Sequence, residues 1–479
     1  MNKRIYFLML FFFALSIGYS QTNSSKNKKF DGYWSGNINV GSTELELVIK
    51  IKHLENDSIH ASLDSPDQGV KDIAVSEVII REDSLIIKVK KLNASYKGHL
   101  INDSTMEGSW KQSGKSFTLN IKKVNKINEL RRPQEPKPPY PYLEQEVSFI
   151  NKKDNISLGG TLTYPKGNGP FITVVMVTGS GQQNRDEELM GHKPFKVIAD
   201  FLTRNGIAVL RIDDRGIGTS GGNISTSTTF DFVKDINAAI AFVQKNPFVK
   251  ASHIGIIGHS EGGLIAPIVA SGNKKVSFIV LMAGPGVSGK DIILTQSAQI
   301  SKAMGKDTTE IAEDNLINKE LYQIVMTTDD NKKAREEIEK VFKKHSEGLS
   351  EKEIEDKGLD FANRERAIMT LLVPWFKTFL KTDPAKYLAK VKCPVLAMNG
   401  AKDLQVDANI NLPAIENALK KGKNKQYTIK KFDGLNHLFQ LCDTGLMKEY
   451  SRIEETIHPE VLEYMTKWIN GLYPNLKQP

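Results

Sequence analysis

The sequence predicts an α/β protein: a mostly parallel sheet flanked by helices, with a helical insertion, preceded by a small all-β barrel or sandwich. Three observations predict it. Residues 30–125 show the period of two expected of half-buried strands, and no helical period of comparable strength. Five prolines between Arg131 and Pro141 then favour an extended, semi-rigid segment. From about residue 145 onward, short apolar runs alternate with amphipathic ones, the pattern of parallel strands covered on both faces.

The elements follow in chain order. Lys3 and Arg4 precede the almost wholly apolar run Ile5–Ile17, and Gly18-Tyr19-Ser20 supplies small residues at a cleavage site. Residues 1–20 therefore read as a signal peptide, and the protein as exported to the periplasm or the medium. The run is short for a membrane span, and no later stretch offers about 18 consecutive apolar residues, so the mature chain is expected to lack a transmembrane segment. In the all-β domain, 30–125, Leu45, Leu47, Ile49 and Ile51 share one face of a strand over 44–52. Alternating runs recur at 85–90 and 117–121, with turns at Asn56-Asp57, Pro66-Asp67 and Ser113-Gly114. Residues 126–144 form the Pro-rich linker.

The α/β domain occupies 145–475. A hairpin is expected from 147–150 and 156–164, around Asp154-Asn155. Strands follow at 171–177, 207–212, 254–257 and 278–282, with helices at 195–202 and 230–243. Residues 290–388 contain charged helical stretches and no convincing strand, so they read as a helical cap inserted into the sheet domain. Strands resume at 395–398 and 426–432, and Pro459 opens a closing helix to Leu472.

Composition excludes several classes. With 479 residues, 40% hydrophobic and 25% charged, the chain is neither disordered nor a coiled coil. The net charge of +9 is spread along the chain, which reads as a solvated surface with no nucleic-acid partner. Cys393 and Cys442 are expected to be free thiols; no metal-ligand spacing of the CxxC type occurs, and no metal or cofactor is implied.

Gly258-His259-Ser260-Glu261-Gly262 matches G-x-S-x-G between a short buried strand and a helix. A turn that tight holds the serine in strained geometry above the sheet, with helix N–H groups beside the reacting carbon. Serine needs a base, and the base an orienting carboxylate, in the chain order Ser, Asp or Glu, His. Only His345, His437 and His458 follow Ser260. His345 lies in the charged insertion and His458 at the start of the last helix, whereas His437 follows the last strand directly. Asp403 follows the preceding strand by one short turn; Asp407 and Asp433 are the competitors. Backbone N–H groups of Glu261 and of Ser180, with Gly181 as the alternative, are the expected oxyanion donors.

With those residues placed, the chain resembles the α/β-hydrolase superfamily, most closely its bacterial serine aminopeptidase-type esterase branch. The stretches 177–186 and 211–220, the GHSEGG turn, Asn399-Gly400-x-x-Asp403-x-Gln405-Val406 and Gly434-x-x-His437 carry the resemblance. It implies that Asp214 and Arg215 are structural ion-pair residues that buttress the active-site face, not catalytic ones. Thr178-Gly179 stands where the family commonly has His-Gly. The β domain looks like an accessory domain, and Asp64–Gly69 reads as a surface turn. The implied activity is hydrolysis of small-molecule or polymer-linked carboxylic esters through an acyl-enzyme. An aminopeptidase or amidase is the runner-up, with Glu261 a possible site for a free amine. An envelope- or glycan-binding protein with a vestigial hydrolase half is the reading from another class.

Overall fold

The computed structural model describes residues 27–40, 43–55, 58–125 and 131–475; the leader read in residues 1–20 lies outside them. The chain forms two compact units, the first comprising residues up to Arg131 and the second most of the chain from Arg132 onward.

The first unit contains strands β1 (Gly32–Val40), β2 (Thr43–His53), β3 (Ile59–Ser65), β4 (Val70–Ala74), β5 (Glu77–Arg81), β6 (Ser84–Val89), β7 (Ala94–Asn102), β8 (Thr105–Gln112), β9 (Lys115–Thr118) and β10 (Ile121–Val124). They form one antiparallel sheet in the order β4-β3-β2-β1-β10-β8-β7-β6-β5, with β9 on β8. Laid flat at about 4.8 Å per strand step, the two edges would stand roughly 38 Å apart. Only Val75 and Ser76 separate β4 from β5, and such a link reaches about 11 Å at most. The sheet is therefore rolled, around a core that includes Trp34, Leu63, Leu85, Tyr96 and Trp110. On β2, Leu47, Ile49 and Ile51 are buried, as the alternation requires. The run over 117–121 divides into β9 and β10, and the Asn120 side chain accepts the Gly108 amide at 3.1 Å between them. The turn at Asn56-Asp57 lies outside the described residues.

The Pro-rich segment is not a free spacer after residue 131. Arg132 donates to the carbonyls of Gly191 and Met190 at 3.3 and 3.1 Å, and Gln134 Nε2 donates to the Ile457 carbonyl at 2.6 Å. Proline restricts the backbone of this segment, but side chains between the prolines dock it.

The second unit contains β11 (Leu143–Asn151), β12 (Ile156–Tyr164), β13 (Phe171–Val177), α1 (Pro194–Arg204), β14 (Ile207–Ile212), α2 (Thr229–Val243), β15 (Val249–His259), α3 (Glu261–Gly272) and β16 (Val276–Met282). Seven helices follow without a strand: α4 (Gly289–Ala303), α5 (Thr308–Thr327), α6 (Asn331–Ser346), α7 (Glu351–Asp356), α8 (Phe361–Leu371), α9 (Pro374–Lys381) and α10 (Ala385–Leu388). Then come β17 (Val395–Gly400), α11 (Ala408–Lys421), β18 (Tyr427–Phe432) and α12 (Pro459–Gly471). The sequence reading assigns no element to α11, which carries Pro413 in its interior.

The sheet order is β11-β12-β14-β13-β15-β16-β17-β18, and only β12 runs against the rest. The chain steps from β13 to β14 on one side, then returns past β13 to β15 on the other. Helices α1 and α12 cover one face, α2, α3 and α11 the other. Such a reversal opens a crevice at the carboxyl ends of β13 and β15, the usual place for a ligand in this architecture.

Candidate active site

Four loops at the carboxyl ends of parallel strands supply the site. Ser260 joins β15 to α3 with φ 52° and ψ −116°. A serine held there stores on the order of 1–3 kcal/mol of strain. Glycines make the turn possible. A Cβ on Gly258 would lie 2.0 Å from the Gly262 carbonyl oxygen, and one on Gly262 would lie 2.1 Å from the Val177 carbonyl oxygen. The Ser260 amide donates to the Met282 carbonyl at 2.9 Å, anchoring the turn to β16.

The carboxylate and the imidazole meet as the motif order implies. His437 Nδ1 lies 2.8 Å from Asp403 Oδ2, and both side chains are buried. The other Asp403 oxygen accepts the amides of Gln405 and Val406 at 2.8 and 2.9 Å. The two loops are joined directly: the Lys402 amide donates to the Leu435 carbonyl at 2.9 Å. Gly400 permits this approach, since a Cβ there would lie 2.3 Å from that same carbonyl oxygen. Asn436 shapes the His437 turn by accepting the amides of Leu438 and Gln440, each at 3.0 Å.

The competitors lie elsewhere. Asp407 caps α11, accepting the Asn409 amide at 2.7 Å. Asp433 is exposed. His345, on α6, contacts Glu320 at 3.3 Å, and His458 caps α12.

In the loop after β13, the Gly179 amide donates to Glu187 Oε1 at 2.6 Å and is thereby committed. Glu261 is almost wholly buried; its Oε1 accepts Thr229 Oγ1 at 2.6 Å, and Trp375 Nε1 donates to both oxygens at 2.8 and 2.9 Å. Burial pushes its carboxyl above the ordinary glutamate range, and the Thr229 and Trp375 bonds offset part of that rise. Trp375 stacks on Phe379, and α9 thereby packs on Leu264 and Ile268 of α3.

Of the two expected ion-pair residues, Arg215 forms salt bridges and Asp214 does not. Arg215 meets Asp235 at 2.7 Å and Asp154 at 2.8 Å. Asp214 instead accepts Thr178 Oγ1 at 2.7 Å and the Gln183 amide at 3.1 Å. Complete burial, with Glu261 and Glu187 nearby, raises its carboxyl well above the aspartate range. The salt bridge on the buttress belongs to Asp213, which Arg185 Nη2 meets at 2.7 Å. Successive residues of a turn point in different directions, so the acid that forms the ion pair is Asp213 and not Asp214.

Sequence reasoning missed Glu187, His259 and Trp375 as site residues. His259 was visible only as the variable position of the motif, and the other two lie far from it along the chain. Among the described residues there is no group of His, Cys, Asp and Glu able to hold a metal ion, and no helix long and apolar enough to cross a membrane. Cys393 and Cys442 are free.

Comparison with known proteins finds a family model and several similar chains. Residues 193–345 match the family model described as serine aminopeptidase, S33. That span includes Ser260 and ends before Asp403. Esterase EstD of Thermotoga maritima is 25% identical over 440 residues, covering 90% of this chain and 91% of that protein. Among solved structures, the Pyrococcus furiosus esterase Pf2001 is 17% identical with a TM-score of 0.40, covering 73% of this chain and 99% of that one. Est1E of Butyrivibrio proteoclasticus, solved with ferulic acid, is 17% identical with a TM-score of 0.37, covering 68% and 97%.

Proposed function

We propose that this chain, a hydrolase of the α/β-hydrolase fold resembling the serine aminopeptidase-type esterase branch, cleaves carboxylic esters through Ser260, His437 and Asp403. The 2.8 Å Asp403–His437 contact carries the reading. A carboxylate can only accept, so it holds the imidazole proton on Nδ1 and leaves Nε2 as the base. Ser260 Oγ attacks the ester carbonyl carbon as Nε2 takes its proton. The amides of Glu261 and Ser180 stabilise the tetrahedral oxyanion; the alcohol leaves with the proton from His437. Water, activated by the same nitrogen, then releases the acid. The apolar leader makes the enzyme an exported one.

Esters are favoured over aminopeptidase substrates for a specific reason. Glu261, the acid closest to the nucleophile in sequence, spends its oxygens on Thr229 and Trp375. A free substrate amine would have to displace buried bonds to reach it. Replacing Ser260 with Ala is expected to abolish both fluorophosphonate labelling and turnover of a short-chain nitrophenyl ester in a folded protein; near-normal turnover would exclude the assignment. A panel of nitrophenyl esters against aminoacyl anilides separates the two substrate classes.

A further inference from the structure

His259 and Glu187 form a second acid–imidazole arrangement directly behind the first. His259 Nδ1 lies 3.0 Å from Glu187 Oε1, and His259 Nε2 lies 3.0 Å from the backbone carbonyl oxygen of His437. Both side chains are almost wholly buried. The two imidazoles are adjacent, with ring centroids 4.8 Å apart. The oxygen that faces His259 also accepts the Gly179 amide at 2.6 Å.

Donor and acceptor bookkeeping constrains the charge. A carbonyl oxygen accepts and never donates, so Nε2 must carry a proton. Nδ1 faces an oxygen that already accepts a backbone amide through a short bond, the length expected of an ionised acceptor. With Glu187 ionised, Nδ1 must carry a proton as well. Both ring nitrogens then donate, and the ring is an imidazolium. Burial alone would push its pKa down; the charge of Glu187 and its hydrogen bond, with smaller help from the His437 carbonyl and the charge of Asp403, bring the net shift upward. The titratable groups facing the ring are Glu187, Asp403 and His437.

We propose that Glu187 and His259 are a buried ion pair that positions the site, tying the oxyanion loop at Gly179 and the His437 loop to the strand that bears Ser260. The inference rests on the serine-hydrolase reading, in which those three segments supply the oxyanion donors, the base and the nucleophile. Neither residue touches the reacting atoms; both act through their neighbours. The backbone supports the role. Glu187 holds φ 51°, a left-handed conformation rare for glutamate, in a turn closed by its amide on the Asn184 carbonyl at 2.9 Å. The Gly179 position also leaves no spare room: a Cβ there would lie 3.2 Å from Ser260 Cβ and 3.3 Å from Glu187 Oε1. Loop, nucleophile and ion pair therefore meet at one point, where a shift of about 1 Å can cost two orders of magnitude in rate.

The sign of the pH effect follows. A histidine with a raised pKa is charged at lower pH and loses its proton as the pH climbs through the raised value. The pair therefore holds below that raised value and dissolves as the pH climbs through it. Glu187→Gln removes the counter-charge, so His259 gives up a proton at lower pH. In that variant kcat for a nitrophenyl ester is expected to fall by roughly tenfold or more with a smaller change in KM. The alkaline fall in kcat/KM is expected to move to lower pH.

The decisive measurement is nitrogen–proton NMR of the full-length protein with ¹⁵N-labelled histidine. At pH 7 the His259 ring should show protons on both nitrogens, and in Glu187→Gln on one. The signals are assigned by their loss in His259→Gln or, should that variant not fold, by their shift in Glu187→Gln. A wild-type His259 with a single ring proton at pH 7 overturns the proposal, as does a Glu187→Gln enzyme with wild-type kcat and an unmoved pH profile. Fluorophosphonate labelling of the wild type is read alongside. Failure to label sinks the serine-hydrolase reading, while the ring protons still decide the ion pair.

Discussion

Asp403 shows how few contacts define a residue of this site. One oxygen faces His437 Nδ1 and the other accepts two backbone amides. Asp403→Asn keeps the shape but presents an amide donor or a weaker acceptor to the ring, favouring the wrong tautomer. Ester turnover is expected to fall by roughly 10³–10⁴-fold, measured as kcat at neutral pH. Asp403, His437 and Ser260 were legible in sequence because each follows a strand within a few residues, so a local pattern marks it. His259 and Glu187 were not. They stand 72 positions apart, and nothing in either neighbourhood announces the other. Buried polar partners are selected by the packing of the finished fold. The Asp214 misreading has the same origin: its partner is the Thr178 hydroxyl, whereas Arg215 finds its acid, Asp235, on α2.

Among the elements, α9 links the inserted helices to the nucleophile turn. Its Trp375 holds both oxygens of Glu261, whose backbone begins α3. Trp375→Phe keeps the ring stacked on Phe379 but removes the indole donor. Leaving a buried polar group without its partner costs about 1–3 kcal/mol, and a loss of stability of that order is expected in denaturant unfolding. A drop in kcat should accompany it, because Glu261 directly follows Ser260 at the start of α3. Apolar periodicity located the sheet strands of the second unit and its closing helix. It said little of α11, which carries a proline in its interior, or of the division between β9 and β10. At that division a side-chain acceptor, Asn120, takes an amide of the sheet. Local propensity does not record such substitutions of one hydrogen-bond partner for another.

For the molecule as a whole, the two units have separate hydrophobic cores. The second also retains residues 132–142, which the proline content alone reads as part of a semi-rigid linker. A truncation that removes residues 21–131 is therefore expected to keep near-wild-type kcat/KM on a small nitrophenyl ester, whereas one that continues to residue 140 removes Arg132 and Gln134 and should lower thermal stability. Comparing melting temperatures and kcat/KM of the two truncations tests this. The same comparison on polymeric esters asks whether the rolled β unit recruits substrate; equal activity of truncated and full-length protein on both substrate types argues against recruitment.

The position of the inserted helices has a consequence for how the site comes into being. β16 and β17 are neighbours in the sheet, yet residues 283–394 separate them along the chain. Pairings of such sequence separation close late, because a large loop must be ordered before the contact repays it. Ser260 leaves the ribosome well before Asp403 and His437, and the strands that deliver them dock last. A nascent or partly refolded chain is thus a nucleophile turn without its base. Hydrolytic competence should arrive in the slowest folding phase, after most of the helical structure has formed.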